Sequence, residues 1–296
     1  MEGVDFKSEK YEKHRAAGKI LSETLSEAEG MIEVGTTHLE VAEFAENKIR
    51  EMGGEPAFPV NISINEEASH STPSINEKTK FGEDMICLDI GVHVEGWIAD
   101  AAKTVDLSGN PELVEASEVA LEAALDIVQA GVNVGKIGEV IESKIGDRGY
   151  NTILNLSGHG VGRYDAHVGP NIPNCAIRTG VELELGDVVA IEPFATLGGG
   201  KVTEGGKEEI FSLIQKKSVR GKKSRELIDT IENKYNTLPF AARWIGEGQG
   251  KISLQRLKMA RIIRGYPVLR EQKGKLVSQA EHTVIVMEDG CEIITR

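Results

Sequence analysis

The sequence has few cysteines and no long apolar run, and each scarcity excludes a class of protein. Its three cysteines, Cys87, Cys175 and Cys291, are an odd number without a Cys-x-x-Cys pair. This argues against a disulfide framework and for a reducing, cytosolic setting. Without an apolar run of ~18 residues no membrane span is expected, and the charged residues 1–11 contain no signal-peptide core. With 40% hydrophobic and 27% charged residues, the 296-residue chain is expected to fold around a buried core.

Positive charge is concentrated late in the chain. Residues 201–275 contain 18 basic and 8 acidic residues, a local net charge of +10, whereas the whole chain carries −13 and the remainder therefore −23. This asymmetry indicates a separate unit with a partner of its own, or a solvated subdomain that happens to be rich in Lys and Arg. The pattern within 207–265 predicts mainly helix with glycine-rich joints.

The periodicity of the remaining sequence predicts an α+β fold with antiparallel strands. Thr37 and Glu40 fit a capping box at the start of the second of two N-terminal helices. The other predicted elements are a strand within 56–65, a hairpin of 85–94 and 97–105, helices from Pro111 and from about Lys136, and strands at 187–196 and 275–287.

Two aspartates interrupt the apolar strands of this hairpin. If Glu95-Gly96 is a two-residue turn, Asp89 pairs with Ala102, and Asp100 lies on the same face of the sheet as Ala102. The two backbones are then roughly 7–8 Å apart, so one cation could contact both carboxylates. The alternative is a pair of hydrogen-bonded structural aspartates close to the turn.

Three further polar residues lie in apolar or glycine-rich surroundings. His159 occupies a small-residue bend, and Glu192 and Glu281 lie within apolar strand patterns, where a buried carboxylate is costly unless it is paired. Four carboxylates and one imidazole suit a pair of divalent first-row ions. The sequence therefore predicts a dinuclear metal site.

The other histidines divide into two groups. His70 and His167 lie in polar loops, where each is either a hydrogen-bonding group beside a reacting carbonyl or a loop histidine without a role. His282 neighbours Glu281 but is expected on the opposite face of its strand. The remaining three are expected to be surface or structural residues: His14, His38 and His93.

Over nearly its whole length the sequence resembles the type 2 methionine aminopeptidases, in their archaeal form. The matching segments are 56–61, 88–91, 98–100, 155–159, 190–194, 237–240, 243–244 and 281–283. The resemblance implies a pita-bread fold, an α+β domain whose curved antiparallel sheet holds two metals. It assigns 1–200 and 272–296 to this catalytic domain and 201–271 to a helical, winged-helix-like insertion.

The resemblance also implies how each ligand binds two divalent ions, of Co, Mn, Fe or Zn. Asp89 would be a terminal ligand of one ion, and His159 and Glu192 terminal ligands of the other. Asp100 and Glu281 would bridge the two.

The same resemblance implies roles around the substrate. Glu192 would move a proton from the attacking water to the leaving amine, His167 would hydrogen-bond the scissile region, and His70 would support the substrate carbonyl. The methionine side chain would occupy a pocket near Phe58, His70 and Tyr266. The implied substrates are N-terminal peptides of nascent proteins with a small second residue.

The resemblance implies a cytoplasmic monomer that does not contact a membrane, and the basic insertion is a candidate contact with the ribosome. Three positions depart from the family pattern beside the expected pocket: Ser71, Ala166 and Ala280. They leave the size of that pocket and the stringency at the second residue open.

Two other functions fit the same motifs. A prolidase or aminopeptidase P uses the same five ligands but carries a large domain before them, whereas 88 residues precede Asp89 here. A catalytically inactive nucleic-acid- or ribosome-binding relative would use the basic segment, but such proteins normally lose metal ligands.

Overall fold

The structure is a computed structural model that describes residues 5–217, 219–246 and 249–296. The helices in this part of the chain are α1 (Glu9–Glu29), α2 (His38–Glu51), α3 (Pro111–Leu125), α4 (Val134–Gly146), α5 (Lys222–Tyr235), α6 (Ala242–Ile245) and α7 (Gln249–Met259). None of these helices has the length and apolar character that a membrane crossing requires.

In the described residues, the strands form four antiparallel sheets. They are β1 (Glu55–Pro56), β2 (Asn61–Ile64), β3 (Glu67–Ser69), β4 (Met85–Val94), β5 (Trp97–Asp106), β6 (Asn151–Thr152), β7 (Ser157–Gly162), β8 (Asp165–Pro173), β9 (Val188–Ile191), β10 (Phe194–Thr196), β11 (Thr203–Leu213), β12 (Phe240–Ala241), β13 (Ile263–Arg270), β14 (Val277–Gln279), β15 (His282–Met287) and β16 (Gly290–Ile293).

The predicted hairpin is confirmed with its predicted register. β4 and β5 pair antiparallel, with Asp89 opposite Ala102. Glu95 and Gly96 both have positive φ, 51° and 91°, as the tightest hairpin turns require. The capping box at Thr37 and Glu40 is also present.

Two helix pairs cover the outer faces of the sheets and bury two apolar cores. In the first, α1 packs against β4 and β5, and α2 packs against α1, β1 and β2, around residues such as Leu21, Ile49 and Leu88. In the second, α3 and α4 pack over strands that include β8, β9 and β15. The faces of the sheets that these helices do not cover surround a cavity.

The expectation that 207–265 is mainly helical is wrong for its ends. β11 and β13 pair with each other, and β13 also pairs with β3, outside the segment. Helices α5 and α7 lie between β11 and β13 in the sequence, and their apolar side chains form a small core with Phe211 and Phe240. β11 begins with the Gly- and Glu-rich residues 203–209, which lack strand alternation. Pairing with distant strands overrides this weak local preference. The domain boundary at 201–271 stays a prediction.

Candidate active site

One cavity collects the polar residues from both halves of the molecule. It encloses about 460 Å³ of space not filled by protein atoms, including its mouth. Its lining is Phe58, Asn61, Ser69, His70, Asp89, Asp100, His159, His167, Glu192, Ile210, Pro239, Tyr266 and Glu281.

The hairpin places its two aspartates on the cavity wall. Asp89 lies opposite Ala102, and Asp100 opposite Gly91. The carboxyl groups of the two aspartates are close enough to share a hydrogen bond. The Oδ1 atom of each aspartate is buried without a hydrogen-bond partner among the described residues, so each remains free to bind a ligand.

Asp100 of this pair also meets two ligand-type side chains from other segments, His159 on β7 and Glu281 between β14 and β15. One donor atom each of Asp100, His159 and Glu281 lie within 4.8 Å of one another. His159 Nε2 is 3.8 Å from Asp100 Oδ2 and 3.6 Å from Glu192 Oε1. β7, which carries His159, pairs with β9, which ends next to Glu192. β9 also pairs with β15, which follows Glu281 directly.

Hydrogen bonds that the sequence did not predict fix these residues in place. The Thr283 hydroxyl accepts from the backbone N–H of Asp100 at 2.8 Å and donates to its carbonyl at 2.7 Å. Gln279 Nε2 donates to Glu281 Oε2 at 3.1 Å, and Asn174 Nδ2 donates to the Glu192 carbonyl at 3.0 Å.

The four carboxyl groups are costly to ionise together. Burial raises the pKa of Asp89 to about 7. Burial and the neighbouring negative charges raise the pKa of the other three well above their usual values: Asp100, Glu192 and Glu281. Burial lowers the pKa of His159 to about 4, so its imidazole is neutral and able to bind a metal. Cations between these carboxylates would remove the repulsion, so the donor set fits divalent metal ions.

His70 and His167 lie on the cavity wall beside the ligand cluster. The His167 ring lies 4.2 Å from the His159 ring, centroid to centroid. His70 has a positive φ of 63°, a conformation that costs a non-glycine residue about 1–3 kcal/mol. Its Nδ1 is 3.3 Å from the Pro267 carbonyl. Because a carbonyl only accepts, Nδ1 carries the hydrogen, and Nε2 of neutral His70 is an acceptor.

The remaining wall is apolar and comes partly from the segment 201–271. Phe58 lies close to Gly91, where a Cβ atom would come within 2.2 Å of the ring. Tyr266 on β13 contacts His70 edge-on, with 5.3 Å between ring centroids. Ile210 pairs with Tyr266 across β11 and β13, and Pro239 completes this side.

All nine residues singled out from the sequence line this one cavity, although their individual roles stay predictions. Sequence reasoning missed four lining residues: Asn61, Ser69, Ile210 and Pro239. Pro239 lies in one of the matching segments, whereas Ile210 carried no signal, because only the β11–β13 pairing brings it to the wall.

Two further sets of expectations concern residues outside the cavity lining. The three departures from the family pattern are the sequence neighbours of the lining residues His70, His167 and Glu281, but they do not line the cavity themselves. Ala166 is buried in the first core, and Ser71 and Ala280 line separate depressions. For His14, His38 and His93, which were expected to be surface or structural residues, the structure shows the second alternative, because all three are buried.

Comparison with known proteins independently supports a metal-dependent peptidase site. Residues 12–232 match the family model of metallopeptidase family M24. A methionine aminopeptidase of Archaeoglobus fulgidus is 50% identical over 286 residues, which cover 96% of this chain and 98% of that protein. One from Methanocaldococcus jannaschii is 47% identical over 291 residues, covering 97% and 99%.

A solved structure confirms the expected pita-bread fold. The crystal structure of a methionine aminopeptidase from Thermotoga maritima matches with a TM-score of 0.73 at 24% identity and covers 99% of both chains.

Proposed function

This chain belongs to metallopeptidase family M24 and, within it, to the methionine aminopeptidases, and on this premise we propose how its cavity releases an N-terminal methionine. The observation that carries the proposal is the meeting of Asp100, His159 and Glu281 within 4.8 Å, beside an apolar wall. A divalent metal site would thus lie beside a slot for an apolar side chain.

Five residues would hold two divalent ions: Asp89, Asp100, His159, Glu192 and Glu281. Oxygen and imidazole ligands of this kind suit Mn, Fe, Co or Zn. Bound ions would lower the pKa of a water molecule and stabilise negative charge on the scissile carbonyl oxygen. The unpartnered Oδ1 atoms of Asp89 and Asp100 support this assignment.

The protein's own groups would handle the proton and orient the peptide. Glu192, whose pKa is raised by burial and by Asp89, is suited to accept a proton from water and deliver it to the leaving amine. Neutral His70 would accept a hydrogen bond from a peptide N–H, which differs from the support of the substrate carbonyl that the resemblance implies, because its Nδ1 faces the Pro267 carbonyl. The donor to the substrate carbonyl would then be His167, whose ring has no hydrogen bond to another described residue.

The first residue of the substrate would enter the slot formed by Phe58, His70 and Tyr266. An unbranched thioether adapts well to such an apolar wall. The chain would act on nascent proteins with a small second residue, in the cytoplasm.

The test is release of free methionine from Met-Ala-Ser, compared with Met-Leu-Ser and Ala-Pro, in metal-free buffer and with added Mn²⁺ or Co²⁺. We expect metal-dependent cleavage of Met-Ala-Ser alone. Asp100→Asn and Glu281→Gln should each lower kcat/KM by about 10²-fold or more, whereas the exposed control Glu23→Gln should not change it. Cleavage of Ala-Pro would assign the chain to the prolidases, and absence of all cleavage with metal bound would contradict the proposal.

The basic segment supports a place of action at the ribosome. Lys216, Lys217, Lys222 and Lys223 are exposed and would attract the phosphates of ribosomal RNA. Reversing these four charges should reduce co-sedimentation with ribosomes at low salt. Reversing Lys19, Lys78 and Lys80, which are exposed elsewhere, should not. Equal co-sedimentation of both variants and the unchanged chain would refute ribosome docking.

A further inference from the structure

An arginine continues the apolar wall of the cavity towards solvent. In the β11–β13 pairing, Ile210 lies opposite Tyr266 and Ser212 lies opposite Arg264. Side chains two residues apart share one face of a strand. Ser212 and Arg264 therefore extend the wall that Ile210 and Tyr266 form. Ser212 is buried and Arg264 is exposed, which places the guanidinium group at the open end.

Contacts on one edge of the guanidinium group fix its orientation. Arg264 Nε donates to Tyr266 Oη at 2.9 Å and to Ser212 Oγ at 3.2 Å. The two acceptors are themselves 3.0 Å apart. The guanidinium carbon lies 4.9 Å from the centroid of the Tyr266 ring, a favourable position for a cation. Holding a long side chain in advance lowers the entropy cost of binding a ligand.

The other edge of the same group is open. Within 5–217, 219–246 and 249–296, neither Nη group of Arg264 has a hydrogen-bond or ion-pair partner. The two Nη groups form a planar fork that matches the two oxygens of a carboxylate. The positive charge also lies close enough to His70 and His167 to lower the pKa of both, in addition to the effect of burial.

Distance along the strand indicates which part of a substrate meets this fork. Arg264 and Tyr266 are two residues apart on β13, about 7 Å at the usual strand rise. An extended peptide covers the same distance with two residues. For an extended peptide that lies along β13 with its first residue at Tyr266, the third residue is therefore the one beside Arg264.

We propose that Arg264 is a substrate-binding residue that selects a carboxylate at the third position of the peptide. This inference rests on the proposed aminopeptidase function. The carboxylate has two sources, an Asp or Glu side chain in a longer chain and the C-terminal carboxylate of a tripeptide. Either carboxylate would accept hydrogen bonds from both open Nη groups of Arg264.

The experiment compares peptides that differ only at the third position. Met-Ala-Asp-NH₂ against its uncharged isostere Met-Ala-Asn-NH₂ tests the side chain, and Met-Ala-Ser against Met-Ala-Ser-NH₂ tests the terminal carboxylate. For an exposed charge-assisted contact of about 1 kcal/mol, the acidic peptide should be favoured roughly fivefold in kcat/KM. Most of this preference should appear in KM and should weaken in high salt.

The matched variants are Arg264→Gln and Arg220→Gln. Arg264→Gln should reduce the preference, taken as the ratio of kcat/KM values for the Asp and Asn peptides in the same variant, to about one. Arg264→Lys keeps the charge but not the fork and should retain only part of the preference. Arg220 is exposed in the same basic segment, and its variant should keep the full preference. A preference that survives in Arg264→Gln, or that is absent from the unchanged enzyme for both carboxylate sources, would overturn the assignment.

Binding separates this inference from the proposed reaction. The probes are the same Asp and Asn peptides with the first peptide bond reduced to a methylene amine, which cannot be hydrolysed, and calorimetry measures their Kd with the metal-loaded enzyme. Absence of methionine release from every peptide would contradict the aminopeptidase function. Equal Kd values for the two reduced peptides would contradict the role of Arg264, whether or not cleavage occurs.

Discussion

Glu46 and Arg243, 197 positions apart in the sequence, form a buried ion pair that joins α2 to α6. Each side chain is only 4% exposed. Arg243 also donates to Thr72 Oγ1 at 2.7 Å, and Glu46 accepts from the backbone N–H of Val60 at 3.3 Å. Val60 and Thr72 belong to the two segments that carry the cavity residues Phe58 and His70. The ion pair therefore connects the basic segment to the substrate wall.

Arg243→Met should be strongly destabilising, because it leaves the Glu46 carboxylate buried and unpaired. We expect a loss of about 3–5 kcal/mol in the free energy of unfolding, measured by urea titration. Adding Glu46→Gln to the same chain should restore much of it. Lys48→Met removes an exposed ion pair with Glu27 and should cost less than about 1 kcal/mol. Equal losses of stability in Arg243→Met and Lys48→Met would refute burial as the reason why the first ion pair matters more.

Gly91→Ala should narrow the substrate cavity. The added methyl group would lie 2.2 Å from the Phe58 ring, so the ring must shift, at a cost of about 1–3 kcal/mol in stability. We expect a higher KM for Met-Ala-Ser and a smaller change in its kcat, measured by steady-state kinetics. Gly146→Ala is the control, because no described atom outside its chain neighbours and the backbone of its own helix lies within 4 Å of the added methyl group. An unchanged KM in a folded Gly91→Ala enzyme would show that Phe58 does not limit the pocket.

Asp89→Asn should stabilise the metal-free protein at pH 8 and weaken its response to metal. Since folding raises the pKa of Asp89 to about 7, the unfolded chain loses this proton first as pH rises. The loss of folding stability that Asp89 causes therefore develops between about pH 4 and pH 7 and is complete at pH 8. In EDTA the variant should have the higher Tm, whereas added Mn²⁺ should raise the Tm of the unchanged protein more. A lower Tm for the variant in EDTA would contradict carboxylate repulsion as the cause.

His14 should make the protein less stable in mild acid. It is fully buried, with Nδ1 2.7 Å from the Ile98 carbonyl, and burial lowers its pKa to about 4. The unfolded chain binds a proton near pH 6.5 while the folded chain does not, so stability falls as pH drops from about 6.5 to 4.

The measurement for His14 is urea unfolding at pH 5 and pH 7.5. At pH 5 the cost of this one group is roughly 2 kcal/mol. His14→Asn keeps a donor near the position of Nδ1 and cannot be protonated, so its stability should change less between the two pH values. If the variant shows the same pH dependence as the unchanged chain, other groups cause the acid sensitivity.

The sequence by itself determined the features that depend on near neighbours. A two-residue turn at Glu95-Gly96 allows one register for the hairpin, and that register places Asp89 and Asp100 on one wall. The capping box is likewise a contact over three residues. The cost of burying a carboxylate in an apolar pattern also identified Glu192 and Glu281 as candidates before any distance was known. The prediction that Glu281 lies in the middle of a strand is wrong, because it lies between β14 and β15, and Glu192 lies between β9 and β10.

Only the tertiary structure decided how distant segments meet. The strand β11 has little local strand signal and exists because it pairs with β12 and β13. That pairing brings Ile210 and Tyr266 to the cavity and directs Arg264 to its mouth. The ion pair of Glu46 and Arg243 likewise forms only when the fold brings these distant segments together. Such contacts follow from the packing of whole elements, so local propensity and spacing do not encode them individually.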